Sequence, residues 1–183
     1  EPVAPTFNIL WFAVGILARL TGASPLFAYH LARVLLIPAL ATSAYIFFAY
    51  LFDDVRWRKI ATALFHFVSG LGPFLASFFS GADSGPGTYQ RPIDLWVGES
   101  NAFLTMGYSP HFIASFTLIL LSAYFFLRAT DRRSWRDAAI AGLLGLLLFQ
   151  FHPFHAPTLL AVFAAYVAWR AVTRKGSRDD VTA

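Results

Sequence analysis

The hydrophobic and polar positions of this chain fall into long apolar blocks separated by short polar ones. Leu26 to Phe52 is almost unbroken in apolar character over ~27 residues, more than the ~20 that a spanning helix needs. Ser24 followed by Pro25 supplies an N-cap and a first-turn residue for it, and Pro38 predicts a kink midway. Trp57 to Phe79 reads as a second span, loosened at Ser69-Gly70-Leu71-Gly72-Pro73. Phe112 to Leu127 reads as a third, with Pro110 near its start. Two shorter runs, Ala138 to Phe151 and Pro157 to Trp169, reach spanning length when their flanks are added. The pattern predicts an all-α polytopic transmembrane bundle with five spans over about 24–52, 57–80, 110–128, 135–151 and 156–173. Phe7 to Leu20 is helical in period but short, and reads as a partial span or an interfacial helix.

The polar blocks order the spans. The clusters at 53–59, 128–137 and 170–180 hold 11 of the 14 Lys and Arg residues. The alternate connections, residues 80–110 and the turn His152 to Ala156, hold only Arg91. By the positive-inside rule the basic connections belong to the cytoplasm and the others to the extracytoplasmic side. Residues 81–110 then form an outer loop, rich in Gly, Ser and Pro at 81–87, and residues 176–183 a polar tail. The chain begins at Glu1 without a basic n-region or cleavage site, and reads as an internal or truncated portion of a longer protein.

Composition strengthens this class. Of 183 residues 57% are hydrophobic and 13% charged, and mean hydropathy is +0.59. Soluble domains carry about 25% charged residues, so these charges are too few to cover an aqueous surface. Absence of Cys excludes disulfide scaffolds, thiol chemistry and Cys-ligated metal. The net charge of +4 is confined to loops, which argues against a nucleic-acid face.

Candidate chemistry lies at the outer ends. His30 and Arg33, three apart on one helix face, suit a phosphate entering from the outer leaflet. The competing reading is that Arg33 snorkels to the outer headgroups or pairs with a loop carboxylate. His66 reads as a hydrogen-bonded core histidine. Asp94, Glu99, Asn101 and His111 combine with loop aromatics in a mixture that suits sugar hydroxyls and a flat sugar face. The bland alternative for Trp96, Tyr89 and Tyr108 is an interfacial aromatic belt. His152 and His155 face the same side, and are expected to converge with His111 and Glu99 on one cavity beneath the loop. A divalent metal on these four is the minor alternative; the leading expectation is no cofactor.

The segments Arg19-Leu20-Thr21-Gly22-Ala23-Ser24-Pro25 and Tyr29-His30-Leu31-Ala32-Arg33 resemble the middle spans of prokaryotic GT-C class glycosyltransferases. Glu99-Ser100-Asn101-Ala102-Phe103, Ser109-Pro110-His111-Phe112 and His152-Pro153-Phe154-His155 resemble allied multispan proteins. The resemblance implies an integral protein of a prokaryotic plasma membrane that transfers sugar from a polyprenyl-phosphate donor, with inversion, on the extracytoplasmic side. It implies that His30 and Arg33 face the lipid phosphate, and that Glu99, Asn101 and His111 belong to a loop closing the site. The first outer loop that carries the catalytic carboxylate in that class has no counterpart here, so no catalytic residue is assigned. Membrane lipid and the lipid-linked sugar are the expected partners, and nucleic acid is not. A transporter or channel, with polar groups at mid-depth, and a non-catalytic scaffold are the competing readings.

Overall fold

A computed structural model describes residues 8–68, 74 and 100–179, with the backbone alone for residues 151 and 174–179. Among the described residues every element is an α-helix: α1 Ile9–Thr21, α2 Pro25–Leu51, α3 Val55–Phe67, α4 Ala102–Tyr108, α5 Pro110–Arg132, α6 Trp135–Phe151 and α7 His155–Asp179. Three stretches are long and apolar enough to cross a membrane: Pro25–Leu51, Pro110–Arg132 and His155–Thr173. The 17 residues of α6 make a helix of ~26 Å at 1.5 Å per residue, slightly under the ~30 Å hydrocarbon core. The predicted second span is seen as α3 up to Phe67; residues 69–73 and 75–80 lie outside the described residues.

Local chemistry sets the boundaries. Ser24 Oγ accepts from Phe27 N–H at 3.2 Å, starting α2 at Pro25 as the Ser-Pro pair predicts. Pro38 lies within an uninterrupted α2. Asp54 caps α3 by accepting from Arg56 N–H at 2.8 Å, while the Arg58 guanidinium donates to the carbonyls of Phe52 and Asp53. Arg133 closes α5 in the left-handed region at φ 51°. Ser134 then caps α6, so α5 and α6 become antiparallel neighbours through a two-residue turn.

Two boundaries differ from the sequence reading. Part of the loop at 81–110 is helical: Asn101 Oδ1 accepts from Leu104 N–H at 2.9 Å and opens α4, whose Ala102 is buried. The cap and one buried apolar face outweigh the short length. α7 runs to Asp179, into the segment read as a polar tail.

Packing follows membrane rather than aqueous logic. About half of the buried residues are small, among them Ala28, Ala32, Ala44, Ala114, Ala141, Ser43, Ser115 and Ser122, beside large ones such as Leu40, Ile113 and Leu148. Large side chains such as Leu35, Leu143, Leu146 and Leu160 point outward. Small residues let helix backbones approach where lipid removes the hydrophobic driving force, while large apolar ones face acyl chains at no cost. α5 lies at the centre, with 39% of its apolar window buried against 17% for α2 and 11% for α7. Leu40 and Ala44 of α2 pack on Ile113 and Leu120 of α5, and Leu148 of α6 and Leu159 of α7 pack on Ala114 and Leu118. Phe126 and Phe163 stack at 3.9 Å between α5 and α7.

The bundle has two chemically different ends. At one, Tyr50 donates to Asp131 Oδ2 at 2.5 Å, and Arg170 pairs with the same carboxylate. Arg128 lies 3.4 Å from Asp137. These contacts gather the ends of α2, α5 and α7 with the start of α6, so the basic clusters after α2, between α5 and α6, and late in α7 share one end. The other end gathers the starts of α2, α5 and α7 with the end of α6.

Candidate functional site

The second end holds most of the sequence-predicted residues. Tyr29 and Arg33 lie on the first three turns of α2. Tyr29 Oη donates to the Tyr108 carbonyl at 3.1 Å, and Arg33 donates to the Gly107 carbonyl at 3.0 Å. Both acceptors are at the C-terminus of α4, where helix carbonyls lack internal partners and carry partial negative charge. Arg33 therefore ties α4 to α2 and brings a guanidinium to this end of the bundle. His30 is exposed, with its ring edge-on to Tyr29 at 5.3 Å.

Three histidines meet here. His111, the second residue of α5, shares a 2.8 Å hydrogen bond between Nδ1 and Ser109 Oγ. This bond diverts the Ser109 hydroxyl from capping α5. The His111 ring lies 5.8 Å from that of His152, which lies 4.1 Å from that of His155. His152 is buried at the C-terminus of α6, and His155 opens α7 against the edge of Phe116. Pro153 and Phe154 make the intervening turn, so the two rings come together through the helix connection and not through one helix face. His155 Nδ1 is buried without a hydrogen-bond partner.

Trp11 of α1 completes the cluster. Its ring stacks on Tyr29 at 5.8 Å with an interplanar angle of 4°, and meets His111 edge-on at 5.8 Å. Trp11 and Tyr29 were not singled out from the sequence as site residues. The only sequence signal was an aromatic near the start of the short amphipathic segment. The Asp131–Tyr50 and Asp131–Arg170 contacts were likewise invisible in a cluster that reads as loop.

Asn101 stands apart, its Oδ1 engaged as the α4 cap and its Nδ2 donating to Ser100 Oγ at 3.2 Å. Asp94 and Glu99 lie outside the described residues, so the expected convergence on Glu99 lies outside them too. For the metal alternative, no group of three or more His, Cys, Asp or Glu among the described residues could hold a metal ion, and Glu99 lies outside them. His66, read as a core histidine, is buried, with Nδ1–H donating to the Thr62 carbonyl at 2.7 Å.

Among the described residues, buried hydroxyls between the two ends bond to backbone carbonyls, while His66 Nε2 on α3 is buried with no hydrogen-bond partner. Ser43, Ser115 and Thr117 donate to carbonyls of their own helices, and Ser122 of α5 donates to the Ala141 carbonyl of α6 at 2.9 Å. The described charged side chains of α2 and α5–α7 lie towards the ends. The fold and site thus define an all-helical bundle with three membrane-length apolar helices and a histidine- and arginine-bearing polar end. Comparison with protein-family models, curated proteins and solved structures finds no match.

Proposed function

We propose that this chain is the membrane-embedded portion of a glycosyltransferase that takes sugar from a polyprenyl-phosphate donor on the extracytoplasmic side. The observation that carries the reading is the gathering of Arg33, His111, His152, His155, Trp11 and Tyr29 at one end of the bundle. A lipid phosphate reaches a membrane protein at headgroup depth, where a guanidinium offers paired N–H donors. The aromatic rings offer flat faces to a sugar, and the imidazoles offer hydrogen bonds to its hydroxyls. Arg33 and His30 then bind the phosphate and stabilise the charge that develops as it departs. The concentration of Arg33 and three histidines at one end supports this reading over a transporter, whose pathway needs polar groups at mid-depth.

In the same reading the bundle has five spans, counting α3 with the segment after it and α6. The Asp131 end is cytoplasmic and the histidine end extracytoplasmic in a prokaryotic plasma membrane. The absence of Cys makes single-cysteine labelling clean. Phe154→Cys should react with an impermeant maleimide on intact cells, and Asp54→Cys only after permeabilisation. Reaction of both from the same side would end this topology.

Donor binding tests the function. The purified chain in lipid vesicles should bind a polyprenyl-phosphate hexose saturably and ignore the free hexose. No saturable binding, together with sugar flux across vesicles containing the chain, would replace the transferase reading by the transporter.

A further inference from the structure

Arginines gather at the end of the bundle opposite the histidines. From Arg128 to Asp137 four arginines meet two carboxylates, and Arg170 of α7 adds a fifth. Asp137 pairs with Arg128, and Asp131 with Arg170. No ion pair among the described residues engages Arg132, Arg133 or Arg136. Two of the five line one cleft of about 370 Å³ between α5 and α7. α5 contributes Ala129, Thr130 and Arg133, and α7 contributes Val167, Arg170 and Ala171. One turn deeper, the Phe126–Phe163 stack joins the two helices. Thr130 stands 20 residues beyond Pro110 in α5, ~30 Å along the axis. That distance matches the hydrocarbon core, so the cleft opens at headgroup depth.

We infer that this cleft binds the phosphate of an anionic phospholipid headgroup, held between Arg133 and Arg170. Arg170 uses Nη1 for both of its hydrogen bonds, to Asp131 and to the Tyr166 hydroxyl at 3.3 Å. Its Nε and Nη2 hydrogens remain for an acceptor, and that edge of the guanidinium matches two phosphate oxygens. The Arg133 side chain makes no hydrogen bond or ion pair among the described residues. Its φ is 51°, in the left-handed region where glycine is the usual helix-ending residue. An arginine there carries strain that glycine would avoid, and the side chain so retained is one that lines the cleft. The carbonyls ending α5 would repel an anion, but two of them are engaged. The Ala129 carbonyl accepts from the N–H groups of Arg133 and Ser134, and the Leu127 carbonyl from the Thr130 hydroxyl at 2.8 Å. Ala129, Val167 and Ala171 favour a lipid over free phosphate, because they offer apolar contact to the glycerol and first methylenes beyond the phosphate. Basic pockets between membrane helices are settings in which anionic headgroups bind. The site lies at the opposite end from the proposed sugar-donor site and does not rest on the transferase reading.

The test is native mass spectrometry of the full chain in a neutral detergent, with phosphatidylglycerol or phosphatidylcholine titrated in. One phosphatidylglycerol should bind saturably, about ten-fold more tightly than phosphatidylcholine. Arg133→Gly and Arg170→Gln should each weaken it about ten-fold, the loss of one charge-assisted contact. Arg136→Gln removes an equal charge at the same end but outside the cleft, and should leave binding unchanged. Arg170→Gln also releases Asp131, so Arg133→Gly, which relieves the positive φ and should unfold at the parent's temperature, decides the matter. Equal binding of the two lipids would overturn the site. So would an Arg136→Gln loss as large as that of Arg133→Gly, which would mean a diffuse basic surface. Displacement of phosphatidylglycerol by millimolar inorganic phosphate would assign the cleft to a soluble phosphate and overturn the lipid.

Discussion

Arg33→Gln is expected to remove most of the affinity for a polyprenyl-phosphate sugar, a loss of about ten- to a hundred-fold. That range corresponds to one charge-assisted hydrogen-bonded contact of about 1.5–3 kcal/mol. A guanidinium carries five N–H donors in a fixed fork. One N–H goes to the Gly107 carbonyl at 3.0 Å, which orients the fork, and the phosphate takes others. Arg33→Lys should bind the donor less tightly than the parent but better than Gln, because an ammonium keeps the charge and loses the planar geometry. The Gly107 contact also anchors α4, so thermal unfolding of each variant must be measured beside binding. Loss of binding with retained stability identifies the phosphate contact. Unchanged binding in both variants would leave Arg33 as the anchor of α4 alone.

Leu148→Ala should be the most destabilising single truncation among the packed positions of α5, α6 and α7. Leu148 is completely buried where α6 meets Ala114, Leu118 and Leu159. In aqueous proteins such a change costs about 2–5 kcal/mol, part transfer and part cavity. In a bilayer an unpacked helix still keeps Leu148 out of water, so most of the transfer share drops out. The lost dispersion contacts remain, and about 2 kcal/mol is the expected cost. Unfolding of the micelle-solubilised chain by heat or SDS checks this against Gly142→Ala, which fills open space and should leave stability within about 0.5 kcal/mol. Equal stability of Leu148→Ala and the parent would mean that α6 does not pack on α5 and α7 as described.

The two predictions bear on different links of one chain of cause. Leu148 and its neighbours hold α5, α6 and α7 together, and that packing sets the distance between the turn at His152 and the start of α5. A bundle loosened at Leu148 should therefore also hold His111 and His152 less closely, and donor binding should weaken with stability.

Helical class and helix starts were legible because their causes are local. Ser24-Pro25, Asp54 and Ser134 cap with atoms two or three residues away, and an apolar block of membrane length declares itself without partners. The two-ended arrangement of charge was legible for the same reason, since loops between antiparallel helices must alternate ends. The α4 helix was hidden because seven residues carry too little periodic signal, and its stability comes from Asn101 and from packing on α5.

The site was legible only as an inventory. Sequence placed His111, His152 and His155 on one side by counting spans, but no spacing rule brings residues about forty apart to ring contact. That distance depends on the angle at which α6 and α7 leave the Pro153 turn. Trp11 on Tyr29 and Arg33 on Gly107 join elements far apart in the chain, and so do Tyr50 and Arg170 on Asp131. Each is the outcome of helix packing and not of local preference. Apolar blocks of membrane length, the helices and their caps were readable from the chain alone, because hydropathy and capping act within a few residues. The polar cluster came from the tertiary structure, because it joins side chains of α1, α2, α5, α6 and α7 that only helix packing brings together.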